Sequence, residues 1–189
     1  MMISFDMETQ RLRIRGLQLG DERFTFPEIT DELTRHWIGW EPPHTLSEER
    51  NRISSSVEKS REPPNVFCIA LLKSGEFIGC CSIDATKEGD FEINLWVKKS
   101  AQKRGYAKEM LAAMIEWAKK NTSMAYLVYS VTDGNEASQK LIGKYDVPLI
   151  RTWHAEKHGE SRLVRDYRID LRSCGIPVGL RSTFEKISS

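Results

Sequence analysis

The sequence has no CxxC pair, no excess of either charge and no long apolar run. Its four cysteines, Cys68, Cys80, Cys81 and Cys174, stand away from any histidine at ligand spacing. That excludes a recognisable zinc motif or disulfide framework and suits small buried hydrophobes in a reduced protein. Lys and Arg number 28 against 27 Asp and Glu, a net charge of +1, so there is no basic field for nucleic acid. The apolar stretch "FCIALL" at 67–72 is far too short to span a bilayer, and "MMISFDMETQ" lacks the basic start and apolar run of a signal peptide. His154 and His158 flank "AEK" in an expected turn, the wrong setting for a helical HxxxH metal pair. The expectation is a cytoplasmic protein, monomer or homodimer, with no metal, no nucleic-acid partner and no membrane contact.

What is present is a globular composition, 40% hydrophobic and 29% charged over 189 residues, enough for one core and one domain. "QRLRIRGL" alternates as a half-buried strand. Residues 21–40 and 45–61 read as two irregular helices, the second opened by a capping box of Thr45 and Glu48. "NVFCIALL", "KSGE" and "FIGCCSID" form an expected hairpin, with Cys80 and Cys81 on opposite faces, and "FEINLWV" is a third strand. In "YAKEMLAAMIEWAKK", Ala107, Met110, Leu111, Met114, Ile115 and Ala118 fall on one helical face, with Lys108, Glu109 and Glu116 on the other. Strand-like "AYLVYSV", the short helix "NEASQKLIGKY", and the strands "PLIRTWH" and "SRLVRDYRIDL" around "AEKHGE" complete the chain. The order predicts an α/β (α+β) fold with a mixed sheet and a crossover in its second half.

The start of the long helix carries the chemistry. A helix N-terminus presents unpaired N–H groups and the positive end of the macrodipole, so it binds anions if they can reach it. In "QKRGYA", Gly105 lets backbone approach a ligand, Ala107 stays small, and Lys103 and Arg104 stand where a capping carboxylate would compete. This is a phosphate cradle that is neither a P-loop nor a dinucleotide turn. "QKRGYA" also fits the Q/R-x-x-G-x-G/A signature, and "NEAS" resembles the Asn-x-x-Ser/Ala opening the next helix, of the GCN5-related N-acetyltransferases. "FEINLWV", "QRLRIRGL", "GEFIGCCSI" and "TRHWIGWEPPHTLSEE" resemble the branch that acetylates ribosomal protein N-termini. The resemblance runs from about Thr9 to Leu171.

It implies a single domain at 1–172, with a central sheet of about seven mostly antiparallel strands splayed to admit acyl-CoA and about four flanking helices. Residues 173–189 are then a C-terminal extension. Acetyl-CoA would be the co-substrate and an amine, either a peptide N-terminus or a small amine, the acceptor. Pantetheine would bond to backbone at Leu95, Trp96 and Val97. The pyrophosphate would rest on Gln102, Lys103, Arg104, Gly105, Tyr106, Ala107 and Lys108, and Asn135 and Ser138 would face the pantetheine. The family often places a Tyr four residues after that Ser; here the position is Ile142, and the usual "GF" is Asp146-Val147.

Acyl transfer to an amine needs a base more than an acid, because a thiolate leaves with a pKa of roughly 8.5 whereas a lysine amine sits near 10.4. Glu92 and Asn94 share the strand face opposite Phe91, Ile93, Leu95 and Val97. Glu92 is either a base acting through water or the partner of an arginine on a neighbouring strand, and Asp84 is the second candidate base. Ser138 either protonates the thiolate or is a helix-start hydroxyl; Tyr145 is the weaker acid. Trp37 and Trp40 either wall the acceptor pocket, with Asn94, or pack the helix pair on the sheet. Direct transfer is expected; a nucleophilic Cys80 or Cys81 would instead imply a ping-pong route. A function of another class, acyl-CoA binding without catalysis, is the alternative, alongside acetylation of a polyamine or antibiotic.

Overall fold

The computed structural model describes residues 5–86 and 88–172; the expected extension at 173–189, with Cys174, lies outside them. In chain order the elements are β1 (Asp6–Glu8), β2 (Leu12–Gly16), α1 (Glu22–Thr25), α2 (Asp31–Thr34), α3 (Leu46–Lys59), β3 (Val66–Leu72), β4 (Phe77–Ala85), β5 (Phe91–Val97), α4 (Tyr106–Asn121), β6 (Tyr126–Thr132), α5 (Glu136–Ile142), β7 (Leu149–Lys157) and β8 (Glu160–Asp170). The strands make one open sheet in the order β1-β2-β3-β4-β5-β6-β8-β7. Among the described residues there are eight strands and five α-helices, one more of each than expected. The added strand, β1, has three residues of which two are acidic, too short to show alternation. The first irregular helix divides into α1, a 3₁₀ turn at Phe26–Glu28 and α2, because Pro27 interrupts it.

Alternation along the strands builds a core on each face. Ile14, Ile83, Ile93 and Leu127 meet Met110, Leu111 and Met114 of α4 and Ile142 of α5 on one side. Leu17, Ile69 and Phe77 meet Ile53 of α3 on the other. Cys81 and Cys80 divide between the two, as adjacent strand residues must. Helix α4 is buried further round than its periodicity suggests, with Ala112, Ala113 and Trp117 enclosed. Each of its large apolar side chains contributes about 1.5–3 kcal/mol on burial. Omitting an N-cap costs about 1 kcal/mol, so the core fixes this helix and its start can stay uncapped.

Two local readings are corrected. Thr45 caps α3 by accepting from the Glu48 N–H (3.2 Å), but the Glu48 carboxylate returns to the His44 N–H (2.8 Å), one residue outside the expected box. The turn between β7 and β8 is only His158-Gly159, both at positive φ, 52° and 77°. His154 therefore stands within β7, opposite Leu163.

Candidate active site

Between β4 and β5 the ladder is continuous, pairing seven positions from Gly79↔Val97 to Ala85↔Phe91. Between the parallel strands β5 and β6 only Glu92↔Val128 is paired. Beyond Glu92 the strands part, and the backbone of residues 93–97 is left with a free edge inside the sheet. Its polar groups require partners from elsewhere; the Val97 carbonyl has one, the Gln102 Nε2 at 3.0 Å. On its other side β5 is pressed against β4: a Cβ on Gly79 would lie 2.0 Å from the Trp96 carbonyl oxygen, so any other residue there displaces β5.

At the mouth of this gap Gly105 is the N-cap of α4, at φ 83° and with no side chain capping the helix. Lys103 is also at positive φ, 60°, so the loop before the helix turns tightly, in the kind of left-handed conformation from which anion nests are built. The loop is held from behind by residues that periodicity missed. Glu109, expected at the surface, is buried. It accepts from the Thr9 hydroxyl (2.5 Å), the Arg11 N–H (2.9 Å) and Arg11 Nε (2.7 Å), while Arg11 Nη1 donates to the Arg104 carbonyl (2.9 Å) and its guanidinium lies over the Tyr106 ring. Helical spacing puts Glu109 in the first turn, but only the distant "TQR" explains why it turns inward. Asn135 and Ser138 line the gap from α5. The Asn135 side chain caps this helix by accepting from the Ser138 N–H (3.2 Å), and the Ser138 hydroxyl accepts a long bond from Tyr129 (3.5 Å).

The gap opens through the sheet into a cleft of about 490 Å³ on the α3 face, lined by Asp84, Glu92 and Asn94 and walled by Trp37, Trp40, Trp96 and Trp153. Asp84 and Glu92 are cross-strand neighbours. Among the described residues Glu92 has no ion-pair partner, so the alternative of an arginine partner does not hold. Burial raises the Glu92 carboxyl above the ordinary carboxylate range, and the Asp84 charge adds to the rise while Ser130 and Asn94 oppose it. Burial likewise raises Asp84, against the hydrogen bond from Ser82. A third carboxylate, Asp166, is fully buried but balanced: Ser130 donates to it at 2.8 Å, Arg151 at 2.7 Å and the Trp153 indole at 3.1 Å. Burial pushes the Cys80 thiol well up, which disfavours a thiolate nucleophile.

Trp37 meets Trp40 edge-on at 4.7 Å and Trp96 at 6.0 Å, so both sequence-predicted tryptophans wall the cleft, and Trp37 also packs on Trp96 of the sheet. Their segment is pinned by Lys157, which is only 9% exposed and donates to the Thr34 carbonyl (2.8 Å) and the Trp37 carbonyl. The Thr132 hydroxyl adds a bond to the His36 carbonyl (2.8 Å). Lys157→Met leaves two carbonyls short of a donor, at about 1–3 kcal/mol each. It is expected to lower the melting temperature by several degrees and to erase the near-ultraviolet dichroism of the Trp37–Trp40 pair. An unchanged aromatic signal contradicts this role.

The acetyltransferase (GNAT) domain family matches residues 11–147. The chain belongs to that family. This acetyltransferase is similar in fold to an acetyltransferase (GNAT family) from Bacillus anthracis, with TM-score 0.76 and 16% identity over 89% of this chain and 100% of that one. It is similar to the acetyl transferase from Salmonella typhimurium that modifies the N-terminal serine of 50S ribosomal subunit protein L7/L12, with TM-score 0.73 and 15% identity over 86% and 96% of the chains. It is also similar to RimL, a ribosomal L7/L12 alpha-N-protein acetyltransferase, in complex with coenzyme A, with TM-score 0.76 and 16% identity over 88% and 98%. No curated protein matches this GNAT chain. Among its described residues no group of three His, Cys, Asp or Glu could hold a metal and no helix is long and apolar enough to cross a membrane.

Proposed function

We propose that this GNAT protein transfers an acetyl group from acetyl-CoA directly to a primary amine, and that the acceptor is a peptide α-amine. The observation that carries the reading is the single pairing of β5 and β6 at Glu92↔Val128. It leaves a strand edge for the amides of pantetheine beside Leu95, Trp96 and Val97, with the uncapped start of α4 at one mouth and two carboxylates without cations at the other. The pyrophosphate then rests on the amides from Lys103 to Lys108, helped by the charges of Lys103 and Arg104, and Asn135 and Ser138 flank the pantetheine.

The amine approaches from the cleft between Trp37, Trp40 and Asn94. Its nitrogen attacks the thioester carbonyl carbon, a proton passes through water to Glu92, and the carbon–sulfur bond breaks to release the CoA thiolate. With a pKa of roughly 8.5 the thiolate leaves without an acid, so Ile142 in place of the usual Tyr is tolerable. Ser138 can pass its hydroxyl proton to the thiolate and regain one from solvent, to which Glu92 releases the proton it took. Among the described residues the hydroxyl of Tyr145 is buried without a partner, and burial raises its pKa, which disfavours it as a proton donor. An idle acyl-CoA binder would have no use for two unpaired carboxylates, whose desolvation is a standing cost.

The α-amine reading rests on pKa. At roughly 7.7–8.0 an α-amine is partly neutral at pH 7, whereas a lysine amine near 10.4 demands a further two units or more, about 3 kcal/mol, from a single base acting through water. Peptides with a free N-terminus and blocked lysines are therefore expected to exceed the reverse arrangement in kcat/KM by at least about tenfold. Preference for the blocked-N-terminus peptide, a polyamine or an aminoglycoside sinks the α-amine assignment.

A further inference from the structure

Resting on that reading, we infer that the cleft contains a peptide subsite in which Arg52 hydrogen-bonds a backbone carbonyl about three residues in from the acetylated N-terminus. Arg52 reaches the cleft from α3. Its Nε donates to Glu49 Oε2 at 2.7 Å and its Nη2 to Glu49 Oε1 at 2.6 Å. Glu49 is itself fully buried and also accepts from the Thr25 hydroxyl. This fork fixes the guanidinium plane, 6.0 Å from the centre of the Trp40 ring. The remaining nitrogen, Nη1, makes no hydrogen bond among the described residues. Because Glu49 cancels the charge, Arg52 presents a positioned donor, which suits a carbonyl or carboxylate oxygen and not a second ammonium.

The distance along the floor sets the length of the acceptor. Arg52 and Cys80 line the same cleft, and the Arg52 charge is felt at that thiol against the larger effect of burial. Cys80 and Asp84 lie on the same face of β4. Four residues at the strand rise separate them by about 13 Å, with Ser82 and Asn94 between on the cleft floor and Trp96 beside Cys80. An extended peptide advances roughly 3.3–3.6 Å per residue. With its amine at Glu92 and Asp84, the carbonyl of about the third residue arrives at Arg52. A diamine of equal span would place a cation against a guanidinium with no acceptor to offer.

The test is kcat/KM for acetylation of an alanine amide, dipeptide amide, tripeptide amide and tetrapeptide amide, all with free α-amines, beside a diamine of matching span. The parent enzyme is expected to gain about tenfold or more between the single amide and the tripeptide, mostly in KM, and to favour the tripeptide over the diamine. Arg52→Lys keeps a cation against Glu49 but loses the fork and the free donor, so the length dependence flattens. A flat series in the parent, a rise that survives in Arg52→Lys, or preference for the diamine overturns the subsite while acetyl transfer itself stands. Failure to release CoA with every amine overturns the acetyltransferase reading as well.

Discussion

Gly105→Glu is expected to weaken acetyl-CoA binding by on the order of 100-fold. Two effects combine. At φ 83° a side chain strains the loop by about 1–2 kcal/mol, and the carboxylate occupies the space in front of the α4 amides and repels phosphate. Charge-assisted bonds to such amides are worth about 1.5–3 kcal/mol each, so losing one or two amounts to about one to four orders of magnitude. Gly105→Ala separates the terms: it carries the strain without the charge, and a Cβ there meets only the Arg11 Nη2, at 3.4 Å. It should lose far less affinity. In the parent, acetyl-CoA at 100 times its Kd stabilises the fold by about 2.7 kcal/mol, a rise of about 5–10 °C in melting temperature. In Gly105→Glu that rise is expected to shrink to about 1–2 °C at the same concentration, which then equals the variant's Kd; persistence of the full rise would show that phosphate binds elsewhere.

Glu92→Gln is expected to lower kcat by about 100-fold near pH 7, within the usual range for a general base, with little change in acetyl-CoA affinity. The deficit shrinks as pH rises through roughly 8, where an α-amine loses its own proton. The same substitution acts on stability with a definite sign. Burial raises the Glu92 pKa in the folded chain, so the folded state holds that proton more tightly than the unfolded state does. Stability therefore falls as pH climbs from the ordinary carboxylate range through the raised value, and above it the ionised side chain is a net cost. Glu92→Gln removes that cost. Its melting temperature should exceed the parent's at neutral pH, and the gain should vanish in acid below the ordinary carboxylate range. A variant that is slower and also less stable at neutral pH would make Glu92 a structural residue.

How much of this was legible depended on the range of the interactions. Strand alternation in β3, β4 and β5 is local, and it placed Glu92 and Asn94 on one face and divided Cys80 from Cys81; that Asp84 shares the face of Glu92 comes from the register of β4 against β5. The uncapped start of α4 was visible as Gly105 between Arg104 and Tyr106. Contacts between residues distant in sequence were not visible. Glu109 lies in the first turn of a patterned helix and reads as solvated until Thr9 and Arg11, about a hundred positions away, fold onto it. Lys157 looks like a turn lysine, and only the packing of the β7–β8 hairpin on α2 buries it. Asp166 shares its strand parity with Arg162, Arg168 and Asp170, opposite Leu163, Tyr167, Ile169 and Leu171, and so reads as solvated; its burial and its balance by Arg151 depend on the pairing of β7 with β8. The split between β5 and β6 leaves no trace in either strand, since both are equally well patterned.

If the parted strands β5 and β6 hold acyl-CoA with its pyrophosphate on the start of α4, residue-resolved amide hydrogen exchange with saturating acetyl-CoA will show new protection at Leu95 to Val97 and at Arg104 to Lys108, with the buried amides of β3 and β4 unchanged. Protection confined to other segments, or none despite binding, would overturn that placement.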